Sequence, residues 1–277
     1  MNKVWLITGC STGFGRELAK HAISLGNKVA VAARNTDDVK DIVSGNENAL
    51  AVELDVTNPQ QIDAAVKQTL QKFGRIDVLV NNAGIGYFAA LEESEEAEVK
   101  RMFDINVFGL TNMTRAVLPH MRSQRSGHIV NISSIGGLVG NAGVGFYNAT
   151  KFAVDGLSES LAKETAHLGI KVTIVCPSGF RTDWAGRSAN NSKIVISDYS
   201  ETAGLNMANI RKNSGHQAGD PVRAAKAIIK VVDSEHPPLR LLLGEAAVKN
   251  ARIKLDLLKQ DIDTWQETSI GADFPKN

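Results

Sequence analysis

The stretch KVWLITGCSTGFGRELAKHA, residues 3–22, runs from an uninterrupted apolar segment through three glycines into apolar residues at helical spacing. An unbroken run such as VWLI suits a strand covered on both faces, as parallel sheets require. Gly9, Gly13 and Gly15, with Ser11 and Phe14 between them, form a turn from strand into helix. Such a turn lets backbone N–H groups approach a pyrophosphate, and the positive end of the helix favours its charge. The stretch therefore reads as the opening strand, phosphate-binding turn and helix of a dinucleotide-binding sheet.

The same beat continues along the chain. Apolar strands are expected at 27–33, 49–54, 76–81, 128–133, 171–176 and 239–244. Helices are expected at 13–25, 36–44, 59–73, in a longer region through 125, from Tyr147 onward, over 221–233 and over 245–260. Gly26, Gly74 and Gly169 each stand between a helix and a strand, where glycine tolerates the left-handed backbone that ends a helix. Strands alternating with helices predict an α/β, doubly wound, mostly parallel sheet with helices on both faces. One interval breaks the pattern: residues 178–219 are too long for a plain connection. Phe180, Trp184, Ile194, Ile196, Tyr199 and Leu205 give this interval apolar surface, so it reads as a mobile cover over a substrate. The whole of 1–277 reads as one domain, with a helical extension over 245–277 whose last part, beyond 260, carries little signal.

Composition narrows the function. The 277 residues include 31 Lys and Arg against 30 Asp and Glu, a formal charge of +1. Such a balance gives no electrostatic ground for nucleic acid or an anionic membrane surface as partner. No apolar run reaches the ~18 residues that span a bilayer, and MNKVWLITG enters a strand pattern at once, so a soluble, cytoplasmic protein is expected. The only cysteines are Cys10 and Cys176, without a CxxC or HExxH pairing, so no metal site is expected. Cys10 reads as a small packing residue.

Three further places carry chemistry. The second strand ends in Ala33 and Arg34 with no carboxylate. A guanidinium there suits the 2′-phosphate of NADP(H), which an acidic residue would repel. Tyr147 and Lys151, four apart, share a helical face. A free phenol has a pKa of about 10, and a neighbouring cation favours the phenolate, drawing that value toward the operating pH. Ser134, thirteen residues earlier, ends a strand where ligands of open α/β sheets bind, and its hydroxyl suits a reacting oxygen held near the phenol. Ser133 then caps or satisfies backbone.

The spacing TGxxxGxG at 8–15, NNAG at 81–84 and YxxxK at 147–151 closely resembles the short-chain dehydrogenase/reductase family, from about residue 3 to residue 245. The resemblance implies a seven-stranded, Rossmann-like sheet and a catalytic set of Asn106, Ser134, Tyr147 and Lys151. In it Tyr147 exchanges the proton, Lys151 bonds the nicotinamide ribose, and Asn106 holds a water that links the lysine to solvent. Asn106 also reads as a mid-helix residue bonded to a backbone carbonyl, opening the helix. Asp55 and Val56 match the adenine position, with a turn or helix cap as the other reading of Asp55. Asn82, Ala83 and Gly84 pass the adenosine ribose and brace the central strand. Pro177, Phe180 and Thr182 face the nicotinamide, although Ser178 stands where the family has glycine.

The expected function is NADP(H)-dependent interconversion of a carbonyl and an alcohol on a hydrophobic small molecule. A 3-oxoacyl thioester reductase is the alternative, with Arg122 and Arg125 either attracting an acidic carrier or forming a solvated helix end. A non-catalytic NADP(H) sensor and a sugar-nucleotide epimerase are the rivals from other classes. The family resemblance further implies a homodimer or homotetramer through helices near 98–122 and 147–168.

Overall fold

The computed structural model describes residues 2–186 and 188–274. Met1, Arg187 and the last three residues of the expected C-terminal extension lie outside them. In chain order the elements are β1 (Val4–Ile7), α1 (Gly13–Ser24), β2 (Lys28–Ala33), a 3₁₀ turn (Thr36–Val39), α2 (Lys40–Val43), β3 (Ala49–Glu53), α3 (Pro59–Phe73) and β4 (Val78–Asn81). There follow β5 (Gly86–Phe88), α4 (Glu96–Phe103), a π-helical turn (Asp104–Gly109), α5 (Leu110–Gln124), β6 (Gly127–Ile132), α6 (Gly145–Thr165) and β7 (Ile170–Pro177). The chain then forms β8 (Ala189–Asn191), α7 (Leu205–Lys212), α8 (Pro221–Val232), β9 (Arg240–Leu243) and α9 (Glu245–Ile270).

Seven strands form one sheet in the order β3-β2-β1-β4-β6-β7-β9, and every neighbouring pair is parallel. β1 and β4 lie where the winding reverses, so the crevice beyond their C-terminal ends is the place where ligands of such sheets bind. The sheet packs apolar layers on both faces. One joins Ile7, Val31 and Val80 to Leu18 of α1 and Ile228 of α8, and the other joins Leu6, Leu79 and Ile129 to Val66 of α3 and Met113 of α5.

Local chemistry sets the joints. Gly26, Gly74 and Gly169 have φ of +81°, +82° and +72°, the backbone that the sequence pattern requires of them. Asn58 caps α3 by accepting from Gln60 N–H at 3.0 Å and Gln61 N–H at 3.2 Å. Asp220 does the same for α8, accepting from Val222 N–H at 2.8 Å, with Pro221 at the first helical position in both senses of fit.

α9 continues to Ile270, past the strongest helical signal at 245–260 and within the expected extension 245–277. Within the interval 178–219, β8 pairs in parallel with β5, Gly86 opposite Ala189 and Phe88 opposite Asn191, and α7 follows. Arg211 of α7 fastens this cover, donating to the carbonyl oxygens of Gly186 and Ala189 at 2.9 and 2.5 Å and lying 4.7 Å from the Phe88 ring centre.

Candidate active site

A cavity of about 790 Å³ opens at the winding reversal, between the C-terminal strand ends and the cover. The glycine turn forms one wall. Gly9 and Gly13 have φ of +69° and +60°, and a Cβ on Gly9 would sit 2.9 Å from Ala83 Cα. Asn82 locks this turn to β4: its Nδ2 donates to the carbonyl oxygens of Thr8 and Gly9 at 2.9 Å each, while Thr8 Oγ1 accepts from Asn82 and Ala83 N–H at 3.0 Å each. These bonds tie Asn82 and Ala83 to the end of β1 and the start of the glycine turn.

Gly9, Ser11, Gly13, Phe14, Arg34, Asp55, Val56, Asn82, Ala83, Gly84, Pro177, Phe180 and Thr182 all border the cavity, as do Ser134, Tyr147 and Lys151. Gly15 and Asn106 do not. Gly15 is a packing glycine: a Cβ there would lie 2.5 Å from Asn82 Nδ2 and 2.6 Å from Gly9 O. Asn106 is buried in the π-helical turn, and its amide grips Ile85 on both sides. Nδ2 donates to Ile85 O at 2.9 Å and Thr150 Oγ1 at 3.2 Å, while Oδ1 accepts from Ile85 N–H at 2.8 Å. The helix does open at Asn106, but the carbonyl it bonds belongs to the strand connection 21 residues away rather than to its own helix.

Further side chains are held by their own neighbours. The Asp55 carboxylate accepts from Thr57 N–H at 2.9 Å and Thr57 Oγ1 at 2.7 Å, so it sets the turn, and the helix cap is Asn58. Ser178, where the family has glycine, donates its Oγ to Leu243 O at 3.3 Å and fills the space left by Gly244. Phe180 meets Phe14 edge to face at 5.0 Å, and Thr182 lies over Gly13. The Arg34 guanidinium is exposed and forms no ion pair among the described residues. Cys10 is buried, and burial pushes its thiol up to about 12, consistent with packing alone.

At the chemical end, Ser134, two residues past β6, caps the turn that follows by accepting from Gly136 N–H at 3.0 Å, with its hydroxyl bonded to Tyr147. Ser133 turns the other way, buried, and donates to the Asp155 carboxylate. Lys151 Nζ donates to Ile132 O at 2.8 Å and lies 5.7 Å from the Tyr147 ring centre. The electrostatics differ from the sequence argument. Burial raises the Tyr147 phenol to about 12, only partly opposed by Ser134, and Lys151 does not draw it down. Burial also lowers Lys151 to about 8, with Asp155 acting in the opposite sense. Desolvation of the pair exceeds the mutual effect of a cation and a phenol at this separation.

Several residues here escaped the sequence reading. Asp155, four after Lys151, is buried and accepts from Arg240 Nε at 3.2 Å, an ion pair made across 85 residues of chain. Trp184, expected in the cover, packs on Tyr147 at 4.8 Å and on Phe88 at 5.6 Å, contacts the sequence did not show. The cover also differs from the apolar lid expected. Of its six singled-out apolar residues only Phe180 and Trp184 reach the cavity, whereas Asn190, Asn206, Asn209, Asn213 and Gln217 do. Ile194 and Leu205 are exposed, and Tyr199 donates to Glu92 at 2.6 Å. Amides separated by 27 residues show no period to read, which is why the sequence did not disclose them.

An open parallel sheet with a glycine-lined crevice and a Ser–Tyr–Lys cluster at its strand ends defines a Rossmann-like oxidoreductase scaffold. The family model for short chain dehydrogenase matches residues 3–193, and the chain belongs to that family. It is 39% identical over 274 residues to "Oxidoreductase BOA17" of Botryotinia fuckeliana, covering 98% of this chain and 100% of that one. It is 39% identical over 243 residues to a 3-ketodihydrosphingosine reductase of Bacteroides thetaiotaomicron, covering 87% and 88%. A crystal structure of a short-chain dehydrogenase from Streptomyces avermitilis superposes with a TM-score of 0.92 at 43% identity, covering 99% and 100%. One from Burkholderia phymatum, in complex with NAD, gives 0.82 at 25% identity, covering 94% and 95%. The chain is therefore an oxidoreductase of a family whose members bind NAD(P)(H). Among the described residues no helix is long and apolar enough to cross a membrane.

Proposed function

We propose that this protein interconverts a ketone or aldehyde and an alcohol with NADP(H), Tyr147 serving as general acid and base. The observation that carries the reading is the convergence of Ser134, Tyr147 and Lys151 on the cavity that the glycine turn also lines. The site fits a dinucleotide: Gly9 and Gly13 leave a cradle without side chains, and the Arg34 guanidinium stands open beside Ala33. NADP(H), when bound, supplies or accepts the hydride. A phenol held at about 12 keeps its proton across the physiological range, the state needed to donate to a carbonyl oxygen. Ser134 Oγ orients that oxygen, and Lys151 carries the positive charge beside it. Asn106 Oδ1 and Lys151 Nζ lie 3.2 and 3.8 Å from where a Cβ on Gly84 would stand, and the water that the family resemblance assigns to Asn106 belongs between them.

The cover's amides beside Trp184 and Ile210 favour a substrate with an apolar body and more than one oxygen function. Reduction of a 3-oxo group on an aliphatic chain is the second reading, favoured by the Bacteroides relative named for a 3-keto substrate. Exposed Phe108, Phe152 and Leu157 support a homo-oligomer through α4–α6. Nucleotide consumption across ketones, aldehydes and 3-oxoacyl thioesters, with NADPH and NADH in parallel, tests the proposal. Turnover with NADPH is expected, and a chain that oxidises neither nucleotide with any carbonyl is a sensor instead.

Arg34→Ala is expected to raise KM for NADPH about tenfold, the loss of about 1.4 kcal/mol from a charge-assisted contact, and to leave KM for NADH unchanged. An equal rise for both nucleotides removes the 2′-phosphate role. The pH dependence follows from Lys151. In reduction, kcat/KM falls above pH about 8 as the ammonium deprotonates, while Tyr147 holds its proton to about 12. Lys151→Arg, in whatever activity survives, lacks this descent. Folding stability has the opposite slope. The folded value of about 8 lies below the ordinary 10.5, so the cost of the buried ammonium is present below pH 8 and is relieved between 8 and 10.5.

A further inference from the structure

α9 passes over the edge of the protein and keeps going. Ala247 and Ala251 are buried where the helix starts, next to β9 and the turn after β6. Every residue from Arg252 to Ile270 is exposed, a free length of about 28 Å at 1.5 Å per residue. Four of its apolar residues are ordered: Leu255, Leu258, Ile262 and Trp265 follow Ala251 at spacings of four, three, four and three, one stripe on the helix, while Ile253 and Leu257 are exposed on the opposite side. The four in the stripe are 64%, 47%, 57% and 61% exposed. The face that packs on the protein's own body at Ala251 thus continues uncovered beyond it.

Charge says what covers it. The near half carries Lys249, Arg252, Lys254 and Lys259, against Glu245 and Asp256. The far half, up to Ile270, carries Asp261, Asp263 and Glu267 and no basic residue, and Lys259 meets Asp263 of its own helix at 2.7 Å where the two halves join. Two copies laid parallel would set basic on basic and acidic on acidic, whereas two laid antiparallel set each basic half on the other's acidic half. We propose that α9 is an interaction surface for a second copy of this chain, the two helices pairing antiparallel along Leu255, Leu258, Ile262 and Trp265. This surface is separate from α4–α6, so it joins protomers or preformed dimers and does not depend on the proposed chemistry.

Sedimentation of the full chain tests it, comparing wild type with Ile262→Asp, with Lys254→Glu/Lys259→Glu and with Asp261→Lys/Asp263→Lys. Ile262→Asp is expected to halve the assembled mass with unchanged far-ultraviolet circular dichroism. Each charge variant alone is expected to show the same halved mass, and an equimolar mixture of the two to regain the wild-type mass. A monomeric wild type, an Ile262→Asp chain of undiminished mass, or a mixture that stays small overturns the proposal. Should Ile262→Asp lose helix content, the charge variants, which keep the apolar stripe, decide the matter.

Discussion

Tyr147→Phe is expected to lower kcat for carbonyl reduction by roughly 10²–10⁴-fold, the range removed with a general acid, while NADPH binding persists. The substitution deletes one oxygen and leaves the ring that packs on Trp184 at 4.8 Å. Ser134 loses a partner but still accepts from Gly136 N–H at 3.0 Å, so the strand end stays formed. Stopped-flow turnover measured beside nucleotide titration separates the chemical from the binding effect. Near-wild-type kcat in the variant would remove Tyr147 as the acid. Ser134→Ala added to Tyr147→Phe is expected to cost little more than Tyr147→Phe alone, because residues that act as one unit do not contribute additively.

Gly15→Ala is expected to be the most damaging single methyl in the cofactor half. Its Cβ would meet Gly9 O at 2.6 Å and Asn82 Nδ2 at 2.5 Å. The first is backbone, and the second is already fixed by two bonds to the carbonyls of Thr8 and Gly9. Neither yields easily, so an overpacking cost of about 1–3 kcal/mol is expected, with a lower Tm and nucleotide affinity reduced at least tenfold. Gly74→Ala provides the control. It has nothing within 4 Å, only φ +82°, and is expected to cost stability by about 1 kcal/mol with nucleotide affinity intact. Equal nucleotide affinity in Gly15→Ala and wild type would show that the turn reshapes around the methyl.

The seven strands were legible because each is a short apolar run bounded by glycine, proline or asparagine, and parallel strands covered on both faces admit little else. The nucleotide wall was legible because it is local, one turn read off Gly9 to Phe14. Tyr147 and Lys151 share a helix, and Ser134 lies only thirteen residues away. What was not legible depends on distance along the chain. Asp155 meets Arg240, Asn106 meets Ile85, and Asn190 and Gln217 meet across one cavity. The phenol's elevation to about 12 was equally hidden, since i,i+4 spacing states proximity and says nothing of desolvation. Gly15 showed the reverse error: its place in the motif suggested contact with ligand, and its surroundings make it a spacer.

The π-helical turn at Asp104–Gly109 makes a single residue's worth of extra backbone the support of the reacting end. A wider turn takes up one residue more than the regular helix on either side would need. Deleting any one residue from this segment would let α4 and α5 fuse into an ordinary helix, rotating Asn106 away from Ile85. Both the amide and the carbonyl of Ile85 would then be orphaned just behind Gly84. Deleting Asp104, Val107, Phe108 or Gly109, none of which lines the cavity, is thereby a one-codon lesion able to dismantle this site from behind.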